Sequence, residues 1–255
     1  MSCKKKIKSV KSKKQTLGFR IFRKFIRFFY GNRKFTGLEN FPDQASIFIA
    51  NHAQAHGPIT MEYFFPDPKM VWCESRVIDK KEFYEYAMED FWGHKSQKSM
   101  WFYKLFTKMI TPIFTWVFKS AFTIPVYRDM RIRNTLKQTM DHLNNGVNVV
   151  IFPEKHQPFN NIVNEFQDGF VDVARLYYKS TGKCVQFVPT YNAPDLKTVV
   201  VGKPIAFNPD NPIDVERKAI CDYLKDEITA LAKSLPVHTV IPYENIKKKD
   251  YPKSK

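Results

Sequence analysis

Acidic residues are missing from the first 34 positions of this 255-residue chain, where thirteen Lys and Arg stand. From 35 to 246 the balance is twenty-three basic against twenty-four acidic residues, and the last nine residues add five Lys against Asp250. The net charge of +16 therefore sits at the two ends of a nearly neutral body. Cysteine is scarce, and Cys3, Cys73, Cys184 and Cys221 show no C-x-x-C spacing and no nucleophile motif. Isolated thiols of this kind argue against a disulfide scaffold and against thiol chemistry. No stretch reaches the ~18 uninterrupted apolar residues of a membrane-spanning helix. The best stretch, Trp101 to Phe122, is broken by Lys104, Lys108, Pro112 and Lys119. It reads either as a second amphipathic, docking segment or as a helical pair covering a sheet. No apolar core or small-residue cleavage site follows the N-terminal lysines, so the expectation is a peripheral protein on the cytoplasmic side of the cell membrane. No long Gly, Ser or Pro linker and no internal repeat divides the chain. Three parts follow: a basic tail and helix at 1–34, one domain at 35–246, and a basic tail at 247–255.

Within the basic N-terminal part, residues 17–30 read LGFRIFRKFIRFFY. At about 100° per residue, Arg20, Arg23, Lys24 and Arg27 fall in one arc, and Leu17, Ile21, Phe22, Phe25, Ile26, Phe28 and Phe29 fill the opposite side. This is the pattern of a helix lying in a membrane interface, with Phe22, Phe25 and Phe29 toward the acyl chains and Arg20, Arg23, Lys24 and Arg27 toward anionic headgroups. Lysines at 4, 5, 6, 8, 11, 13 and 14 add attraction to an anionic leaflet, about 1 kcal/mol each near its surface. An ordinary helix packing its apolar face on the domain gives the same pattern, and the two readings can coexist. Net charge alone is all that favours nucleic acid, which is not expected as a partner.

Short β-rich runs stand at 45–50, 70–73, 122–126, 147–152, 184–189 and 198–201, with helix-like stretches near 80–91, 131–144, 165–180 and 213–233. This alternation predicts an α/β domain, a mixed central sheet covered by helices on both faces. In open α/β sheets ligands bind beyond the carboxyl ends of the strands. His52 follows the first run, Arg128 the third and Glu154 the fourth, so a base, a cation and a carboxylate are expected at one edge.

Four ordered blocks carry the chemistry. They are Asn51-His52 after an apolar run, Ile124-Pro125-Val126-Tyr127-Arg128, Ile151-Phe152-Pro153-Glu154, and Phe187-Val188-Pro189. Together they resemble the glycerolipid acyltransferases, the lysophosphatidate acyltransferase-like family, over roughly residues 35–210. The resemblance implies the glycerol-phosphate-acyltransferase-like fold and a phospholipid-metabolising transferase. It would move a fatty acyl group from acyl-CoA or acyl carrier protein, as substrate rather than cofactor, to a hydroxyl of a lysophospholipid or related acceptor. It also implies His52 as general base, Asn51 and Arg128 as substrate-binding residues, and an acyl groove plausibly lined by aromatics between 61 and 118.

The chain departs from that pattern at three places. The Asp that orients the imidazole in N-H-x-x-x-x-D is Gly57 here, and the Gly and Arg expected after Phe-Pro-Glu are Lys155 and Gln157. Replacing the carboxylate beside a catalytic imidazole lowers turnover by about 10⁴ in a serine protease triad. Three groups are candidates to take its place: Glu154, the first choice, then His56 and Glu62. Lys155 and His156 either supply positive charge to a phosphate or are solvated loop residues. Arg128, with Arg131 and Arg133 nearby, reads as an anion holder or as a basic helix start. Asn160, Asn161, Asn164, Phe166, Asp168 and Gly169 are read as starting a helix, whether they line the acceptor pocket or cap that helix. His52 and His56 share the four-residue spacing of H-E-x-x-H, but the Glu is missing and Pro58 follows, so no metal is expected. A non-catalytic, lipid-binding member of the same fold is the alternative to the enzyme. The closing segment 235–245 carries no legible chemistry, and its Lys-rich end is read as able to return to the membrane.

Overall fold

The computed structural model describes residues 16–93 and 95–255. Cys3 and the lysines between 4 and 14 lie outside them. In chain order the elements are α1 (Leu17–Tyr30), β1 (Lys34–Thr36), β2 (Ile47–Ala50), α2 (His56–Tyr63), β3 (Lys69–Glu74), α3 (Lys80–Tyr86) and α4 (Met100–Ser120). Then come β4 (Thr123–Val126), α5 (Ile132–Asn144), β5 (Asn148–Ile151), β6 (Glu154–Phe159), β7 (Asn164–Phe166), α6 (Asp172–Thr181), β8 (Gln186–Ala193), β9 (Thr198–Val201), β10 (Ile205–Ala206) and α7 (Ile213–Ser234).

Eight strands make one mixed sheet in the order β1-β9-β8-β2-β5-β3-β4, with β10 also on β8, and β6 and β7 pair separately. The stretch β8-β2-β5-β3-β4 is parallel throughout. Alternate residues of the central strands supply two cores. Ile47, Ile49, Val149, Ile151 and Phe187 join Leu143 of α5, Ala174 of α6 and Leu224 of α7 on one face. Phe48, Ala50, Val150 and Val188 join Met61 of α2 and Phe65 on the other. Burial on both faces explains why these strands read as unbroken apolar runs. Parallel direction also places the carboxyl ends of β2, β5, β3 and β4 along a single edge.

Two helices are tied by threonines at helical spacing. Thr107, Thr111 and Thr115 line the buried side of α4, and each hydroxyl donates to a carbonyl four residues back. Trp92 Nε1 donates to Thr107, and Trp72 Nε1 donates to Thr139 of α5. The stretch 101–122 is thus one helix across Pro112, not a pair. Helix 80–91 ends its α-helical part at Tyr86 and continues as a π turn, Ala87–Phe91.

The helix expected at 165–180 begins later. Asn160 Oδ1 accepts from the backbone N–H of Ile162 and Val163, and Asn161 takes a left-handed φ of 71°. Asn side chains turn a chain in this way, and here they close the β6–β7 hairpin rather than cap a helix. The basic C-terminal segment folds back as well. Val240 N–H donates to Pro252 O, Ser254 N–H donates to His238 O, and Ser254 is buried.

Candidate active site

The loop after β2 is built around a close backbone approach. Ala53 and Gln54 both take left-handed φ, 45° and 53°, strained for residues with a Cβ. The His56 and Gly57 amides donate to Ala53 O and His52 O at 3.0 and 2.9 Å, holding that conformation. A Cβ at position 57 would lie 2.4 Å from His52 O and 2.7 Å from Asn51 O. Gly57 is therefore required by space, and an Asp there would drive its side chain into the backbone of the residue it is meant to orient.

None of the three expected substitutes bonds to the imidazole. Glu154 does reach His52, but at the main chain: Oε2 accepts the His52 N–H at 2.5 Å and Oε1 accepts the Asn164 N–H at 3.0 Å. The carboxylate ties the β2 loop to β7 from the start of β6. Burial raises its pKa to about 7, against the pull of those two amides. His56 gives Nδ1 to a hydrogen bond with the Tyr30 hydroxyl at the end of α1. Glu62 accepts from Phe122 N–H at 3.2 Å, and its other oxygen is buried without a partner. Since the helix begins at His56 and that ring is committed to Tyr30, His52 and His56 do not form one ligating helix face.

What surrounds His52 is aromatic. Phe152 and Tyr243 stand edge-on to the imidazole, with centroids at 5.3 and 4.9 Å and interplanar angles of 66° and 65°. Nδ1 is buried with no hydrogen-bond partner, while the residue as a whole keeps some exposed surface. Burial lowers the imidazole pKa to about 4, and the Gln54 backbone and the Asp90 charge oppose this only weakly. Asp90 also accepts from the Tyr86 hydroxyl at 3.1 Å.

Asn51 spends its amide on the fold. Nδ2 donates to Asn192 O at 3.1 Å and Oδ1 accepts from Asn192 N–H at 2.7 Å, which pins the end of β2 to β8. Expected as a substrate ligand, Asn51 has its side-chain oxygen and nitrogen engaged with β8. Arg128 lies beyond β4 and pairs through Nη2 with Glu74 Oε2 at the end of β3, at 2.9 Å. A cleft there, about 230 Å³, is lined by both residues with Arg76 and Arg131. Lys155 and His156 are exposed on β6. The His156 ring lies 5.0 Å from that of Tyr243, with Nδ1 4.0 Å from Glu244.

The returning C-terminal segment is the part that sequence reasoning missed. Besides Tyr243, its Glu244 accepts from Gln157 Nε2 at 3.1 Å, and Gln54 Nε2 donates to Glu244 O and to the Tyr251 hydroxyl. Burial raises the Tyr243 pKa, and the charges of Asp90 and Glu154 add to that rise while Arg128 opposes it. Glu74 carried a usable signal, standing directly after the β-rich run 70–73. Tyr243 carried none, because its place depends on long-range closure. Of the aromatics between 61 and 118, expected to line a groove, several pack on one another, as in Phe83 with Phe114 and Trp92 with Tyr103.

Helix α1 has two apolar sides. Phe19, Phe22, Ile26 and Tyr30 turn to the domain, where Phe19 and Phe22 meet Tyr63 and Trp116. Leu17, Ile21, Phe25, Phe28 and Phe29 point outward, Phe28 at 81% exposure. Arg20 and Lys24 are exposed, Arg23 pairs with Asp67 at 3.3 Å, and Arg27 lies over the Phe64 ring. Phe22 and Arg23, expected at the lipid, thus face the protein, because a second apolar arc docks the helix. Beside it, α4 exposes Trp101, Leu105, Met109 and Ile113. Among the described residues no helix is long and apolar enough to cross a membrane.

No protein-family model and no curated protein sequence matches this chain. Among solved structures it is similar to the 1-acyl-sn-glycerophosphate (LPA) acyltransferase PlsC from Thermotoga maritima, at 16% identity and a TM-score of 0.47, over 84% of this chain and 79% of that one.

Proposed function

We propose that the protein is a membrane-surface acyltransferase that moves a fatty acyl group from a thioester to the hydroxyl of a lysophospholipid-type acceptor, with His52 as the base. The observation that carries this reading is the convergence at one edge of the parallel strands: His52 after β2, Glu74 at the end of β3 and Arg128 after β4, with Tyr243 edge-on to the His52 ring. Three of the four sequence blocks end at that edge, and the fourth, 187–189, lies in β8 beside 47–49 of β2. The imidazole takes the hydroxyl proton as the acceptor oxygen attacks the thioester carbonyl, and the proton then passes to the leaving thiolate. A base with a pKa of about 4 is neutral throughout the physiological range, but its low basicity limits the drive for proton transfer. The outward apolar faces of α1 and α4, with Arg20 and Lys24 beside them, suit a peripheral site on an anionic bilayer. The hydrogen bond between Tyr30 and His56 ties the end of α1 to the His52 loop.

A second reading, a lipid-binding protein without turnover, is favoured by the crowding at Gly57 and the unpartnered Nδ1. Thioester consumption in anionic vesicles, with and without acceptor, separates the two: acceptor-dependent turnover that His52→Ala abolishes supports the enzyme. Acyl-chain binding with no turnover in the wild type supports the binding protein.

A further inference from the structure

The cleft at the ends of β3 and β4 is balanced in charge. Three guanidinium groups, Arg76, Arg128 and Arg131, and three carboxylates, Glu74, Glu82 and Asp129, line it. Each arginine is already engaged. Arg128 sets Nε and Nη2 on Glu74 Oε2, at 3.1 and 2.9 Å. Arg131 grips Asp129 through Nε and Nη2 at 2.8 to 3.0 Å, and Arg76 Nη1 donates to Glu89 at 2.9 Å. The donor fork that would hold a phosphate on two parallel bonds is thus occupied at Arg128 and at Arg131.

The two sides of the Glu74–Arg128 pair are unequally fixed. The Glu74 side chain is 18% exposed and Arg128 is 77% exposed, so the anion is part of the wall while the cation lies over it. Exposed ion pairs of this kind contribute little and open readily. A dianionic phosphate monoester entering the cleft would release Arg128 and leave Glu74 facing it, uncompensated. A headgroup that carries its own cation would take the place of Arg128 on Glu74 and offer its phosphate to the freed guanidinium, which preserves the balance.

Resting on the acyltransferase reading above, we propose that the acceptor is a zwitterionic lysophospholipid, its cationic amine held by Glu74 and its phosphate by Arg128. Affinity of the full-length protein, measured by titration calorimetry in non-ionic detergent without thioester, tests this. The probes are lysophosphatidylethanolamine, lysophosphatidate and lysophosphatidylglycerol with one acyl chain. The ethanolamine lipid is expected to bind about tenfold more tightly than either anionic lipid, and Glu74→Gln to reverse the order by removing the amine partner and freeing Arg128. Equal or tighter binding of lysophosphatidate to the wild type overturns the proposal, as does an unchanged order in a folded Glu74→Gln. If that variant misfolds, the exposed Arg128→Gln serves: weaker binding of the ethanolamine lipid supports the assignment, and unchanged binding counts against it. Because binding is read without chemistry, a preference for the ethanolamine lipid with no turnover would end the acyltransferase reading and leave this assignment standing.

Discussion

At the scale of single residues, Gly57 decides how the site can work. A family pattern read by spacing alone would call it a lost carboxylate that mutation could restore. The backbone oxygens of His52 and Asn51 occupy the space of its Cβ, so Gly57→Asp is expected to destabilise the fold by about 3 kcal/mol and not to raise activity; denaturant midpoints and turnover check both. The imidazole is oriented by packing instead. Tyr243→Ala opens one side of His52 to water, so its pKa is expected to rise from about 4 toward the ordinary 6.5, while Tyr243→Phe keeps it low; NMR titration of the ring reads this directly. Glu154→Gln acts through the backbone. An amide can accept only one of the two N–H bonds that the carboxylate makes, and the expected loss is about 1–3 kcal/mol of stability, seen as a lower melting temperature at pH 8, where Glu154 is ionised. His52, Arg128 and Glu154 were legible as strand-end residues, but their bonds were not. Which atom Glu154 grips depends on a hairpin whose turn was read as a helix start.

At the scale of elements, α1 shows why a hydrophobic pattern does not specify its partner. Its apolar positions cover more than half the wheel since two faces are served, and only the structure divides Phe19 and Phe22 from Phe25 and Phe28. Phe19→Ala is expected to lower stability by about 3–5 kcal/mol in a urea titration. Phe25→Ser with Phe28→Ser leaves stability nearly unchanged and weakens sedimentation with anionic vesicles at least several-fold, as exposed apolar area is lost from the lipid side. If the double variant binds vesicles as well as the wild type, the outward face is not the membrane contact. The central strands were legible because double-sided burial makes continuous apolar runs. The short β1 and the β6–β7 hairpin were not, since they have little burial of their own to impose a period.

At the scale of the whole molecule, the parallel strands and the returning C-terminal segment meet around the His52 imidazole, and the docked α1 reaches the adjoining helix start through Tyr30 and His56. The pH response follows from two groups in that region. His52 binds a proton near pH 6.5 when unfolded but only near 4 when folded, so its contribution to stability is present above 6.5 and is lost as pH falls toward 4. Glu154 runs the other way: folded it holds a proton up to about pH 7 against an ordinary 4.5, so its contribution is full below 4.5 and is lost as pH rises through 7. The two oppose each other between those limits, which predicts a shallow stability profile over that window. In His52→Gln the Glu154 contribution remains, and stability measured by denaturant should decline from pH 4.5 to 7.

The central claim is that His52, oriented by aromatic rings and lacking a carboxylate partner, still removes a proton from an acceptor hydroxyl. The most direct measurement is acceptor-dependent release of thiol from a long-chain acyl thioester in anionic vesicles, followed across pH 4 to 8 for the wild type and His52→Ala. Turnover that appears as pH rises through about 4, stays level above pH 5.5 and vanishes in His52→Ala is the predicted result. Turnover that is equal in the two proteins, or absent from the wild type with every acceptor, would contradict it.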